Sequence, residues 1–194
     1  MNGDRTDWKT VSGVVCLLLA VGIQMALTAH RNSITWDEDD HLYAGFMSWK
    51  TGDFGINPEH PPLVKLVAAA PLLGMGLPVP VPQDRYFKLE GFLGGKDFLF
   101  QNDADAMLFR ARMASSVFTI LLALAVFAGA RRMFGTGAGF IALALLVFEP
   151  NIIAHSALVT TDVAFSLFLF LSVYAFYRYA QSPSAWELAA VGAA

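Results

Sequence analysis

The hydrophobic positions of this chain fall into long unbroken runs separated by short polar stretches. The first run, "VSGVVCLLLAVGIQMALTA", occupies residues 11–29. A helix rises about 1.5 Å per residue, so this run nearly crosses the roughly 30 Å hydrocarbon core of a bilayer. It is longer than the apolar centre of a signal peptide, and "ALTAHR" is a poor cleavage site, so it reads as a retained first span. A second span is predicted over 106–130, around "MASSVFTILLALAVFAGA". The third, 135–155, opens with "GTGAGFIALALLVF", which covers roughly 21 Å as a helix and falls short of the core. Glu149, Pro150, Asn151 and His155 follow at once. Either the helix continues into "NIIAHSALV", or polar groups sit below the membrane surface, where such groups face a cavity and mark function. The fourth span covers 162–180, and "SPSAWELAAVGAA" opens a fifth over 185–194. None of these runs alternates with period two, and lipid leaves backbone groups no partner outside their own helix. The expectation is an all-α polytopic membrane protein. The fifth run stops well short of a span, which predicts the N-terminal part of one longer transmembrane domain.

Arg5 and Lys9 precede the first span, Arg131 and Arg132 join the second to the third, and Arg178 ends the fourth. All fall on one side if the spans alternate, and that side is expected to be cytoplasmic. The reading is a multi-pass protein of the bacterial inner (plasma) membrane, with the 30–105 loop on the periplasmic or lumenal side. Within that loop "HLYAGFMSWKTG" is expected as a short amphipathic helix lying on the membrane. "GDFGINPEHPP" is a turn region punctuated by Gly and Pro. "PPLVKLVAAAPLLGMGL", cut by Pro71, Gly74 and Gly76, suits an interfacial or re-entrant helix, and "PVPVPQDRYFKLEGFLGGKDF" reads as irregular.

Composition agrees with this pattern. Of 194 residues 56% are hydrophobic and 15% charged, and the mean hydropathy is +0.51. Soluble domains carry about 25% charge. The net charge of −3 gives no basic footprint for nucleic acid. The single cysteine, Cys16, lies inside an apolar run and has no partner for an intrachain disulfide or a metal site.

Against this apolar background four polar clusters stand out. The first is "WDEDDHLYAG", from Trp36 to Gly45. Read alone, it is a solvated rim with an aspartate capping a helix that starts near Asp39 or Asp40. The functional alternative is a base or a cation site. Trp36 anchors the stretch at the interface, His41 lies one turn after Asp37, and crowded carboxylates at a low-dielectric boundary raise one another's pKa or bind a divalent ion. The second is "NPEHPPL", either an ordinary helix start with proline in its first turn or a hairpin that brings Glu59 and His60 beside the acidic run. The third is "ALVTTDVAF", where Thr160, Thr161 or Asp162 is a cap or Asp162 meets a partner or ligand. The last is the set of outer cations, Lys65, Arg110 and Arg112, which either snorkel or bind phosphate through arginine's planar fork.

The ordered set "WDEDDH", "NPEHPPLVKL", "RARMASSVF", "RRMFG" and "EPNIIAHSALVTTD" resembles the N-terminal part of membrane glycosyltransferases that use polyprenyl-phosphate sugars. These include protein O-mannosyltransferases and the aminoarabinose transferase of lipid A, and they share the GT-C fold. The resemblance covers nearly the whole chain and implies a GT-C-like transmembrane helix bundle with outer-side juxtamembrane helices. It implies sugar transfer from the lipid-linked donor to a hydroxyl of a protein, lipid or glycan acceptor, with inversion at the anomeric carbon. It maps the family's Asp-Glu pair onto Asp37 and Glu38, with Asp39-Asp40 as the alternative register. It maps a second acidic residue onto Asp162 and the family arginine onto Arg112. Some members hold a divalent metal through these carboxylates, here Asp37 and Asp162. Asp40, His41, His60, Lys65, Arg112 and His155 are then the candidate substrate-binding residues.

Two other readings compete. Acidic residues near a membrane cavity also suit a transporter or a carrier-lipid flippase component, but the predicted spans are nearly clean, with Gln24 and scattered Ser and Thr as their polar content. A small structural protein complete at four spans conflicts with the unfinished fifth run.

Overall fold

The computed structural model describes residues 8–83 and 86–193. Arg5, used above for orientation, lies outside them. All regular structure among the described residues is helical. The helices are α1 (Trp8–Arg31), α2 (Glu38–Thr51), α3 (Pro62–Ala69), α4 (Phe87–Phe100), α5 (Ala104–Ser115), α6 (Val117–Phe134), α7 (Thr136–Val147), α8 (Pro150–Ser156), α9 (Asp162–Gln181) and α10 (Ala185–Ala193), with a 3-10 turn at Ala70–Gly74 after α3. By length and composition α1, the α5–α6 stretch Ala104–Phe134 and α9 are apolar enough to cross a membrane. The pair α7 and α8, bent by 62° at its break, makes a fourth if it counts as one span. This bend replaces the expectation of one continuing helix. The helix does not continue straight, because Pro150 has no N–H for the preceding turn and starts a new helix instead. Glu149 accepts the Ile152 N–H at 2.7 Å and so caps it.

The chain divides into two compact units. One is Met25–Val117 with Ala154–Asp162, and the other is the remainder. In the apolar unit α1, α6, α7, α9 and α10 leave many large side chains exposed, among them Leu19, Ile141, Leu145 and Phe165. That is what a lipid-facing bundle requires. Gln24, the polar residue of the first run, sends its side chain to the Val147 carbonyl at 3.5 Å.

The other unit has its own core, with Leu42, Phe46, Met47, Leu72, Leu99 and Met107 nearly inaccessible. Helix α2 runs through its middle. Glu38, Asp39 and all of His41–Ser48 are buried, so α2 is not an amphipathic helix lying on a membrane. Gly45 lets α3 approach closely. A Cβ at Gly45 would collide with the Lys65 carbonyl oxygen of α3. The stretch read as irregular is also corrected: it contains α4, which packs along α2. Gly95 makes this possible, since a Cβ there would lie 2.7 Å from the Asp39 carbonyl oxygen. Helix α2 ends at Gly52, whose φ of 73° suits glycine and whose N–H returns to Ser48 at 3.1 Å.

Candidate active site

The acidic run opens α2, and the fold gives its four carboxylates four different environments. Asp37 occupies the N-cap position, yet its side chain makes no cap hydrogen bond and is exposed. Glu38 is fully buried. Its Oε1 accepts from Arg112 Nε at 2.8 Å and from the Val159 N–H at 3.0 Å. Its Oε2 accepts from Arg112 Nη2 at 2.6 Å and from the Thr35 N–H at 2.9 Å, with the Thr35 hydroxyl at 3.1 Å. Burial pushes this carboxyl up, but the Arg112 bonds and the Thr35 and Val159 N–H groups prevail and hold it below the usual range. Asp39 is buried, accepts the Asp40 N–H at 2.8 Å, and is raised by burial.

Asp40 faces inward. Its Oδ2 accepts from Asn57 Nδ2 at 2.6 Å. Burial pushes its pKa up to about 6, against the Asn57 bond and the nearby Lys65 and His60 charges. Asn57 sits at φ 51°, a left-handed conformation that asparagine tolerates well, at the turn before Pro58. Lys65 is buried and gives its Nζ to the Asn57 carbonyl at 2.5 Å, and burial holds its pKa down. His41 donates Nδ1–H to the Val159 carbonyl at 3.0 Å, since a carbonyl can only accept. Burial, then the neighbouring His60, keep its pKa low. His60 meets His41 edge-on, with ring centroids 4.8 Å apart. Asp40 Oδ1, His41 Nε2 and Asn57 Oδ1 are buried here without a hydrogen-bond partner.

Arg112 rises from α5 and is 1% exposed. Besides Glu38 it donates to the carbonyls of Ala29 at 2.9 Å, Asn32 at 2.8 Å and Ser33 at 2.9 Å. All five of its N–H groups are thus committed, and a phosphate would have to displace them. Arg110, its neighbour among the outer cations, is exposed. The Val159 peptide is held from both ends, its N–H by Glu38 and its carbonyl by His41. Three residues later α9 starts at Asp162, which lies 3.7 Å from His155 Nδ1, with both side chains at least half exposed. Glu59, expected beside the acidic run, pairs instead with Lys88 at 2.9 Å.

A cavity of about 240 Å³ is lined by Trp36, Asp39, Phe92, Lys96 and Phe100 among others. Trp36 stacks on Phe92 at 4.8 Å. Among the described residues no three His, Cys, Asp or Glu side chains are grouped to hold a metal ion.

Residues 99–194 match the family model described as dolichyl-phosphate-mannose-protein mannosyltransferase. The matched segment is similar to this GT-C kind of glycosyltransferase. No curated protein and no solved structure matches the chain significantly. Arg112, His155 and Asp162 lie inside the mannosyltransferase match, and the acidic run lies before it. The Glu38 carboxylate joins the two, because both Arg112 and Val159 belong to the matched segment. Sequence reasoning placed the acidic run, His60, Lys65 and Arg112 in one region but missed Asn57 and Val159. The Asn-Pro pair was a signal for the first. Val159 acts through its peptide group, which leaves no mark on residue type.

Proposed function

We propose that this chain carries the donor-side part of a membrane glycosyltransferase that moves a sugar from a polyprenyl phosphate to a hydroxyl of a protein, lipid or glycan acceptor. In this reading the reaction runs on the periplasmic or lumenal face and inverts the anomeric carbon. One observation carries the proposal: Asp37 is exposed and uncapped, while the next residue, Glu38, is locked to Arg112 and Val159 of the mannosyltransferase segment. Asp37 is the base. Glu38 and Arg112 are positioning residues that hold it, and the Val159 clamp does the same for Asp162.

The chemistry follows from this division. The acceptor hydroxyl gives its proton to the Asp37 carboxylate as its oxygen attacks the anomeric carbon. The bond from that carbon to the phosphate oxygen breaks, and its electron pair leaves with the polyprenyl phosphate. The cavity beside Trp36 receives the sugar. His60 and His155 supply donors for the departing phosphate, with Asp162 orienting His155. Asp40, His41 and Lys65 form the layer behind them.

Transfer from a polyprenyl-phosphate sugar by the full-length protein tests this. Asp37→Asn is expected to lower the rate about 10²–10⁴-fold, the usual contribution of a general base, with the melting temperature unchanged. Transfer at the wild-type rate by Asp37→Asn and Asp162→Asn defeats the assignment. Donor flux in proteoliposomes without transfer replaces it with the transporter reading.

A further inference from the structure

Helix α4 carries a face that the transfer chemistry leaves unexplained. Phe92, Lys96 and Phe100 recur every four residues and so share one side of it. All three line the cavity of about 240 Å³, with Trp36 from the turn before α2 and Asp39 from its first turn. Gly95 lets the two helices close on each other here, since a Cβ there would lie 2.9 Å from the Asp40 nitrogen. Phe92 covers one face of the Trp36 indole at 4.8 Å, yet Trp36 remains 77% exposed, so its other face is open.

Two charges of opposite sign line this cavity and do not neutralise each other. Asp39 is 6% exposed, and its carboxylate accepts from backbone N–H groups alone, that of Asp40 at 2.8 Å and its own. Among the described residues no cation pairs with it, and Lys96, which is exposed, pairs with no carboxylate. A buried carboxylate without a counterion is destabilising, and a donor from a ligand offsets that. A cationic ligand would meet Lys96, and an anionic one Asp39. A neutral hydroxyl suits both, because it donates to a carboxylate and accepts from an ammonium. The open indole face adds an apolar surface, and the C–H side of a pyranose fits against such an electron-rich ring. The cavity is smaller than the roughly 300–1,000 Å³ of pockets for drug-sized ligands, so it holds one ring and not an oligosaccharide or a polyprenyl tail. A membrane anchor also combines aromatic rings with a snorkelling lysine, but it gives no reason for a buried carboxylate in the cavity wall.

We propose that Asp39 and Lys96 select the sugar, Asp39 by accepting from one of its hydroxyls and Lys96 by donating to another of its oxygens, with the ring laid on Trp36. This rests on the reading that the cavity receives the sugar, but not on Asp37 as the base. Saturation-transfer NMR on the full-length protein tests it apart from transfer. The probes are the methyl pyranosides of mannose, glucose and galactose, and the deoxy analogues of whichever binds best. The wild type prefers one epimer and binds one deoxy analogue about tenfold more weakly, because a site built to bond a hydroxyl rejects the ring that lacks it. Asp39→Asn keeps the shape but not the charge; it binds the best glycoside about tenfold more weakly and discriminates less against that analogue. Lys96→Gln, at an exposed position, leaves the melting temperature intact and lowers affinity about fivefold. No epimer preference in the wild type, or unchanged affinity and preference in Asp39→Asn, overturns the proposal. So does loss of binding in Trp36→Ala but not in Asp39→Asn, which reduces the cavity to an aromatic patch. Asp37→Asn binds the glycosides as the wild type does. If that variant also transfers sugar at the wild-type rate while binding still depends on Asp39, the base assignment fails and the role of Asp39 stands.

Discussion

Arg112 directs two of its N–H groups to Glu38 and three to carbonyls at the end of α1 and the loop after it. Removing either charge strands the other in a buried place, which typically costs about 3–5 kcal/mol. Arg112→Ala is therefore expected to lower the thermal unfolding temperature sharply, and Arg112→Lys to rescue it in part, because an ammonium cannot fork. A melting temperature within error of wild type for Arg112→Ala contradicts this role. Asp40 gives a pH signature. Its folded pKa, about 6, lies above the ordinary aspartate value of 3.8, so the folded state binds the extra proton. Stability is then greatest below the lower value and falls as pH rises from about 4 through about 6. Asp40→Asn should flatten that fall and melt higher than wild type near neutral pH; thermal scans across pH check it. The sequence showed where carboxylates gather but not which one remains exposed. That depends on Arg112 and Val159, which are distant along the chain and reach the run only when it folds.

Helix α2 is packed closely by α3 at its own Gly45 and by α4 through Gly91, Gly94 and Gly95. Gly95→Ala forces a methyl group against the Asp39 carbonyl and so pushes α4 from α2 at the start of the acidic run. Overpacking of this kind costs about 1–3 kcal/mol. The variant should unfold earlier and be cleaved faster between α3 and α4 in limited proteolysis, while Gly74→Ala, which meets nothing within 4 Å, behaves as wild type. The same glycines explain why α4 was unreadable from sequence. Gly91, Gly94 and Gly95 look like helix breakers in isolation, and their cost is offset by close packing that appears only in three dimensions. The mistaken surface placement of α2 has the same origin: its polar residues are satisfied by other elements and not by water.

At the scale of the molecule, the all-helical class was legible because unbroken apolar runs leave the backbone little choice in lipid. The division into two units was not, since it depends on how the 30–105 stretch builds a core of its own. Nor was the 62° break between α7 and α8, where the short apolar run left open whether the helix continues. The Glu38 ion pair has a further consequence for assembly. Glu38 emerges from synthesis long before Arg112, and Val159 comes later still, with sequence separations of 74 and 121 residues. Until then Glu38 has neither partner, and the core around α2 lacks what Arg112 and Val159 bring to it. Completion of this unit therefore waits on chain made after most of it.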